Sequence, residues 1–140
     1  MRVYYEDTDF GGVVYYANYL KFFERARTEW LRALGVEQAQ LREEHGLGFV
    51  VRRCAVEYLR PAVMDDVLTV RTMLRRRRAA SLELRQTAHL ASRSSGAPSL
   101  AIGVTLAEAE VTVACVDLVG KPTRLPSGLT SRLNGMARKL

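Results

Sequence analysis

The segment that decides the fold spans residues 18–35 and has the sequence NYLKFFERARTEWLRALG. Its large apolar side chains recur at spacings of three and four residues, which is the period of an amphipathic α-helix. These side chains are Tyr19, Phe22, Phe23, Ala26, Trp30 and Leu34. Asn18 is predicted to cap this helix and Gly35 to end it. Because the apolar stripe is rich in aromatic rings, we expect the helix to be deeply buried.

The segments around this helix are predicted to form mainly β-strands. Their apolar residues occur in short runs or alternate with polar ones, as is typical of strands. The predicted strands cover residues 2–6, 49–59, 67–74, 82–90 and 100–118, and a second, short helix covers 37–45. Strands joined by short turns favour an antiparallel sheet. The predicted fold is therefore α+β, with a curved antiparallel sheet of about five strands wrapped around one long helix.

The last predicted strand changes phase near its centre. Apolar residues occupy even positions from Leu100 to Leu106 and odd positions from Ala107 to Val113. A shift by one residue exchanges the two faces of a strand, so we predict a β-bulge or a break near Leu106 and Ala107.

The composition is that of an ordinary globular domain. The chain has 140 residues and a mass of 15.7 kDa, with 48% hydrophobic and 26% charged residues. These values favour one domain over residues 1–140 and argue against disordered, collagen-like and disulfide-rich classes. No apolar run approaches the roughly 20 residues of a membrane span, and no secretory signal is visible. We therefore expect a cytoplasmic protein in which Cys54 and Cys115 are reduced core residues.

The chain is basic, with 21 Lys and Arg residues against 15 Asp and Glu residues, a net charge of +6. Such a surface suits nucleic acid, anionic lipid or a phosphorylated small ligand. The densest cluster, Arg75–Arg78, fits either a solvated turn between strands or a phosphate-binding site. A nucleic-acid patch would interleave aromatic residues with the charges, and none follows Tyr58.

The turn before the long helix carries the residues best suited to chemistry. Glu6, Asp7 and Asp9 supply three carboxylates within four positions, and Gly11 and Gly12 permit a tight backbone path. The free N–H groups at the start of the helix follow directly. A carboxylate beside an oxyanion-binding N–H is the combination that acyl transfer requires. The alternative is a solvated acidic turn whose glycines serve only its conformation.

Several residues of this region carry a family pattern that extends over nearly the whole chain. They are Arg2-Val3, Thr8-Asp9, Gly12-Val13-Val14-Tyr15, Tyr19 and Glu24, with Leu59-Arg60-Pro61-Ala62 and Glu108-Ala109-Glu110-Val111 further along. The pattern resembles the 4-hydroxybenzoyl-CoA thioesterase family, and within it the Tol-Pal-associated acyl-CoA thioesterase branch. The resemblance implies the hotdog fold and hydrolysis of an acyl-CoA thioester to a free acid and CoA, with no metal or other cofactor.

The resemblance also implies roles for three residues in catalysis. Asp9 would attack the thioester carbonyl or activate the water that does so. The backbone N–H of Tyr16 would hold the carbonyl oxygen, and Tyr5 matches a tyrosine near the site. One position departs from the similar branch, which often has histidine where this chain has Tyr16.

The same resemblance implies the substrate-binding residues and the assembly. Gly12 and Val13 would line the substrate site, while Arg78 and Ser81 match positions near the CoA nucleotide. We expect a homodimer or homotetramer with its site at the subunit interface. Acyl-CoA is the expected partner, with no specific nucleic acid and no membrane span.

Other functions find less support in the sequence. Asp7 and Asp9 form a DxD pattern, but the two histidines, His45 and His89, lack the spacing of metal ligands. The sequence contains no Gly-x-Ser-x-Gly motif and no P-loop. A non-catalytic module that binds acyl-CoA or a partner protein remains the main alternative, followed by a basic nucleic-acid binder.

Overall fold

The computed structural model describes residues 1–137 and consists of one antiparallel sheet with helices packed against it. The elements in chain order are α1 (Asn18–Ala33), α2 (Gln38–His45), β1 (Gly48–Tyr58), β2 (Val67–Arg77), β3 (Ser81–Ser92), β4 (Thr105–Val116) and α3 (Ser127–Ala137). The four strands lie in the order β1-β4-β3-β2, so β1 and β2 form the edges of this sheet. The α+β class predicted from the sequence is confirmed.

Helix α1 packs on the inner face of the sheet, as its apolar stripe predicts. Tyr19, Phe22, Phe23 and Leu31 are buried on the helix side. On the sheet side the alternation of β3 is complete, because every second residue is buried. These residues are Leu82, Leu84, Gln86, Ala88 and Leu90. Truncating a buried phenylalanine to alanine typically costs about 3–5 kcal/mol, so the aromatic stripe anchors the helix to the sheet.

The C-terminus of α1 is closed by the predicted glycine. Gly35 has φ +85°, and its N–H donates to the carbonyl of Arg32 at 2.9 Å. The N–H of Val36 donates to the carbonyl of Leu31, also at 2.9 Å. These two bonds form a Schellman motif, which uses the left-handed conformation that glycine adopts without strain.

The N-terminus of α1 differs from the prediction. Asn18 is the first residue of the helix rather than its cap, and Ala17 occupies the cap position without a side-chain hydrogen bond. The Asn18 amide instead donates to the carbonyl of Asp7 at 2.9 Å. The Asn18 side chain is therefore bonded to a carbonyl distant in sequence instead of capping the helix.

The predicted irregularity in the last strand is a β-bulge at Leu106. The β3–β4 register passes from the pair Ala88–Ala107 to the pair His89–Thr105, so Leu106 is the extra residue. Its carbonyl accepts hydrogen bonds from the N–H groups of Leu59 (2.8 Å) and Arg60 (3.1 Å).

The predicted strand over residues 2–6 is wrong, and the sheet has four strands rather than about five. Tyr5–Asp7 form a short 3₁₀ helix, and Arg2 makes a single isolated bridge to Val67. The Asp7 carboxylate accepts the N–H of Tyr4 at 2.9 Å. Such a local side-chain bond competes with strand pairing and curls the segment.

Two further predictions are corrected. Residues 100–104 precede β4 instead of belonging to it, and Gly103 turns the chain there with φ +89°. Cys115 is buried as predicted, but Cys54 is exposed. Cys54 lies on β1, an edge strand that pairs with β4 alone among the described strands.

Candidate active site

A tight loop before α1 presents Asp9 to solvent. The N–H of Asp9 donates to the carbonyl of Val13 at 2.8 Å, and the N–H of Gly12 donates to the carbonyl of Asp9 at 3.0 Å. Thr8 and Val14 form an isolated bridge at its base. Gly12 has φ +77°, a conformation that strains residues with a Cβ atom. The loop of residues 8–14 is therefore closed by its own backbone, and we call it the Asp9 loop.

The Asp9 carboxylate is held at one oxygen and open at the other. Its Oδ1 accepts the N–H of Gly11 at 2.8 Å. A Cβ atom at Gly11 would lie 3.3 Å from this oxygen, so glycine allows the close approach. No protein donor within residues 1–137 reaches Oδ2. An exposed carboxylate with one free oxygen can accept a proton from water or approach an electrophilic carbon.

The neighbouring Asp7 has a different environment. The residue is only 8% exposed, and its carboxylate binds the N–H of Tyr4. Its carbonyl accepts the N–H of Tyr15 at 2.9 Å and the side-chain amide of Asn18 at 2.9 Å. Asp7 thus ties the segment before the Asp9 loop to the start of α1.

The backbone of Tyr16 lies between the Asp9 loop and α1. Its carbonyl accepts a hydrogen bond from the phenol of Tyr58 at 3.1 Å, and burial raises the pKa of that phenol. Within the described residues the N–H of Tyr16 has no acceptor. This N–H is free to bind an oxygen of a ligand, as an oxyanion-hole donor must.

Tyr58 is a site residue that the sequence analysis missed. It comes from the end of β1 and packs edge-on against Tyr16, with ring centroids 6.0 Å apart, and against Tyr19 at 5.6 Å. The strand pattern of β1 predicts no such contact, because it depends on how the strand and the start of α1 pack together.

The other site residues predicted near Asp9 are Gly12, Val13 and Tyr5, and they differ in how closely they bind to the Asp9 loop. Gly12 and Val13 belong to the Asp9 loop, and Val13 also forms a bridge with Val63. Tyr5 is strongly exposed. Its carbonyl accepts the N–H (3.1 Å) and hydroxyl (2.7 Å) of Thr8. Its phenol makes no hydrogen bond within residues 1–137.

Arg78 and Ser81 lie at the far end of the sheet from Asp9. The Asp9 loop bonds to the chain just before β2, whereas Arg78 follows β2 directly. The eleven residues of β2 cover roughly 30 Å at about 3.3 Å per residue. Ser81 is 5% exposed, and Arg78 forms a 3.3 Å ion pair with Glu83. One chain therefore does not bring its predicted catalytic and nucleotide-binding residues together.

The described residues contain neither a metal-binding cluster nor a membrane-spanning helix. Within residues 1–137, no group of three or more His, Cys, Asp or Glu side chains is arranged to hold a metal ion. No helix in that part of the chain is long and apolar enough to cross a membrane.

Comparison with known proteins gives a consistent result. Residues 3–133 match the thioesterase-like superfamily. The chain is 45% identical to acyl-CoA thioesterase YbgC of Haemophilus influenzae over 127 residues, 90% of this chain and 85% of the relative. It is also 45% identical to acyl-CoA thioester hydrolase YbgC of Escherichia coli O6:H1 over 132 residues, 94% and 90% of the two chains. A probable thioesterase from Bartonella henselae has a similar structure, with a TM-score of 0.77, 40% identity and coverage of 90% and 95%.

Proposed function

The chain belongs to the thioesterase-like superfamily, and we propose that this acyl-CoA thioester hydrolase uses the Asp9 loop as its active site. The reaction cleaves the carbon–sulfur bond of an acyl-CoA and releases a free acid and CoA. One observation supports this location above the others. An exposed carboxylate with one oxygen unbound and a backbone N–H without an acceptor, both judged over residues 1–137, lie on the same short segment at Asp9 and Tyr16.

Asp9 starts the reaction in one of two ways. As a general base, it takes a proton from water while the water oxygen attacks the thioester carbonyl. As a nucleophile, its free oxygen attacks that carbon and forms a mixed anhydride, which water then hydrolyses. In both routes the C–S bond breaks and CoA leaves as a thiolate. In the general-base route the proton that Asp9 took from water passes to the thiolate, and in the nucleophilic route the proton comes from the water that hydrolyses the anhydride. Either route uses the carboxylate itself as the reacting group, with no second side chain required to activate it.

The backbone of Tyr16 stabilises the charge that develops on the carbonyl oxygen. An N–H that is already in place gives more stabilisation to the transition state than to the neutral substrate, and losing one such donor typically costs about 10²–10³ in kcat. The hydrogen bond from Tyr58 to the Tyr16 carbonyl restrains the orientation of the segment that follows.

A hydrolysis assay tests this function. The purified protein is offered a panel of aliphatic and aromatic acyl-CoAs, and released thiol is trapped with a chromogenic disulfide. We expect turnover that is lost in the Asp9→Asn variant. A protein that bound acyl-CoA but released no thiol would instead be the non-catalytic binding module. The preferred acyl group in the panel also tests the finer placement in the Tol-Pal-associated branch, for which Leu59-Arg60-Pro61-Ala62 is the supporting motif.

The assembly is part of the same proposal. Strand β1 ends the sheet, and its apolar residues Val50, Val51 and Tyr58 are exposed. A bare strand edge with exposed apolar residues favours pairing with another chain. We infer a homodimer, or a homotetramer built from it, in which Asp9 of one subunit and Arg78 of another serve the same substrate. The separation of these residues along β2 supports this arrangement.

Complementation between two variants, one without turnover and one with weakened substrate binding, tests the shared site. Asp9→Asn and Arg78→Ala chains are co-expressed with different tags and assayed at low substrate concentration. Random pairing of subunits restores about a quarter of the sites in a dimer, so activity should rise well above the mean of the two separate variants. Activity equal to that mean would show that each site is built within one chain. Light scattering on the 15.7 kDa chain gives the number of subunits.

The cytoplasmic location also remains a proposal. Cys54 and Cys115 form no disulfide with each other, which suits a reducing compartment.

A further inference from the structure

A buried ion pair lies beneath the Asp9 loop. Asp66 is 0% exposed and the side chain of Arg93 is 8% exposed. The Nε of Arg93 donates to Oδ1 of Asp66 at 3.0 Å, and its Nη2 donates to Oδ2 at 2.8 Å. Two further N–H groups bind backbone carbonyls, one on Nη1 that of Pro98 at 2.9 Å and one on Nη2 that of Pro61 at 3.1 Å. One guanidinium therefore joins the segment of residues 61–66 to the loop that follows β3.

Stability is a weak reason for such a pair. Removing two charges from water costs several kcal/mol per ion in practice, and the mutual attraction often only offsets that cost. A bidentate arginine–carboxylate contact does fix distance and orientation. The pair is therefore better suited to holding a backbone segment in one place than to raising overall stability.

The segment that the pair holds is itself a constrained turn. The carboxylate of Asp66 accepts the N–H of Val63 at 2.9 Å. Between them, Asp65 has φ +69°, an unfavourable conformation for a residue with a Cβ atom that persists only where neighbours enforce it. The backbone carbonyl of Asp66 also accepts a hydrogen bond from the N–H of Val3, with a distance of 2.8 Å.

A short chain of backbone contacts leads from this turn to Asp9. The carbonyl of Ala62 accepts the N–H of Val14 at 2.8 Å, and Val63 forms a bridge with Val13. The carbonyl of Val13 then accepts the N–H of Asp9 at 2.8 Å. Among the described residues only Gly11 bonds to the Asp9 side chain, so the position of its free oxygen depends on this backbone.

We propose that Asp66 and Arg93 are positioning residues, which fix the Asp9 carboxylate in its reactive position through residues 61–66 and the Asp9 loop. This inference rests on the proposed function, in which Asp9 reacts. Neither residue touches the substrate. A displacement of about 1 Å in a reacting group can cost 10²-fold in rate, so the pair controls catalysis without contributing a reacting atom.

Arg93→Lys is the principal test, because lysine keeps the charge but cannot make the bidentate contact with the Asp66 carboxylate. We expect kcat to fall at least about tenfold, while KM, as a measure of substrate binding, changes less than about twofold. Hydrogen–deuterium exchange should rise in the peptide covering the Asp9 loop and stay unchanged in α1. Arg85→Met is the control, since it breaks a 3.2 Å pair with Glu108 on the outer face of the sheet and should leave kcat unchanged.

The same substitution in an Asp9→Asn background separates positioning from general damage. If Arg93 acts through Asp9, Arg93→Lys will change the residual rate of Asp9→Asn less than about twofold, because the two losses are not additive. Equal loss in both backgrounds, or an unchanged kcat with unchanged exchange in the loop, would overturn the proposal. If Asp9→Asn alone kept full activity, the proposed function would fail instead, while the exchange measurement would still show whether the pair orders the loop.

Discussion

Asp7 and Asp9 are two residues apart in one turn, and their carboxylates have opposite environments. The carboxylate of Asp7 turns inward to the N–H of Tyr4, and the residue is buried. The carboxylate of Asp9 is exposed and, in the part of the chain that the structure describes, is bound only by the N–H of Gly11. The backbone path between them, with the 3₁₀ helix ending at Asp7 and the Asp9 loop following, assigns structure to one carboxylate and leaves the other free for chemistry.

The first prediction compares these two carboxylates. Asp9→Asn should lower kcat at least about 10²-fold, because the amide can neither accept a proton nor attack the carbonyl. Asp7→Asn should keep most of the activity and lose about 1 kcal/mol of stability. The loss is small because the side-chain amide oxygen of the variant can still accept the N–H of Tyr4. Steady-state kinetics and thermal denaturation measure both effects. Near-normal turnover in Asp9→Asn would exclude its catalytic role.

The second prediction concerns Tyr16. If only its backbone N–H takes part, Tyr16→Phe should keep most of kcat, and Tyr16→His should be tolerated. Tyr16→Pro should be inactive because proline lacks the N–H. Circular dichroism must show that the proline variant retains its helices. A large loss of kcat in a folded Tyr16→Phe variant would mean that the phenol takes part in the chemistry.

The third prediction concerns nucleotide binding. Arg78→Ala should raise KM for acyl-CoA more than it lowers kcat, because it removes a contact made equally in substrate and transition state. The wild-type protein and the Arg78→Ala variant should hydrolyse a short thioester without the nucleotide at the same rate. Glu83→Gln breaks the ion pair of Arg78 but keeps the guanidinium, and it should leave KM unchanged. If Glu83→Gln raised KM as much as Arg78→Ala, the ion pair would be structural.

The fourth prediction concerns the buried phenol of Tyr19. Its hydroxyl makes no hydrogen bond of good geometry within the described residues, although the burial that raises its pKa is partly opposed by the backbone of Ala62, which lies near enough to lower it. An unsatisfied buried polar group costs about 1–3 kcal/mol, so Tyr19→Phe should hold or raise the free energy of unfolding. Denaturant titration measures it. A loss of more than about 1 kcal/mol would show that the hydroxyl has a partner such as a bound water molecule.

The fifth prediction follows from the titration of the same group. Burial raises the pKa of Tyr19 from 10.0 to about 12. The folded state therefore holds the proton more tightly than the unfolded state between these values, and stability falls as the pH rises through them. Wild-type protein should lose stability from pH 10 to pH 12 more steeply than Tyr19→Phe. Parallel curves for the two proteins would contradict the raised pKa.

Much of the fold could be predicted from the sequence because its signals are local. Helix α1, the glycine that ends it at Gly35, the alternation of β3 and the bulge at Leu106 each depend on residues a few positions apart. Periodicity and backbone sterics act over that range, so neighbouring residues are sufficient to specify these features. The tight turn of the Asp9 loop is predictable for the same reason, since its carboxylate, glycines and helix start are contiguous.

Tertiary structure decided the features that join distant parts of the chain. The exposed Cys54, the contact of Tyr58 with Tyr16 and the pair of Asp66 with Arg93 follow from packing. Residues 42 and 27 positions apart meet in the last two, and no pattern within either segment specifies its partner. The sequence by itself determined which side chains could do the chemistry, whereas only packing decided which of them are free, which are restrained and which lie too far away within one chain.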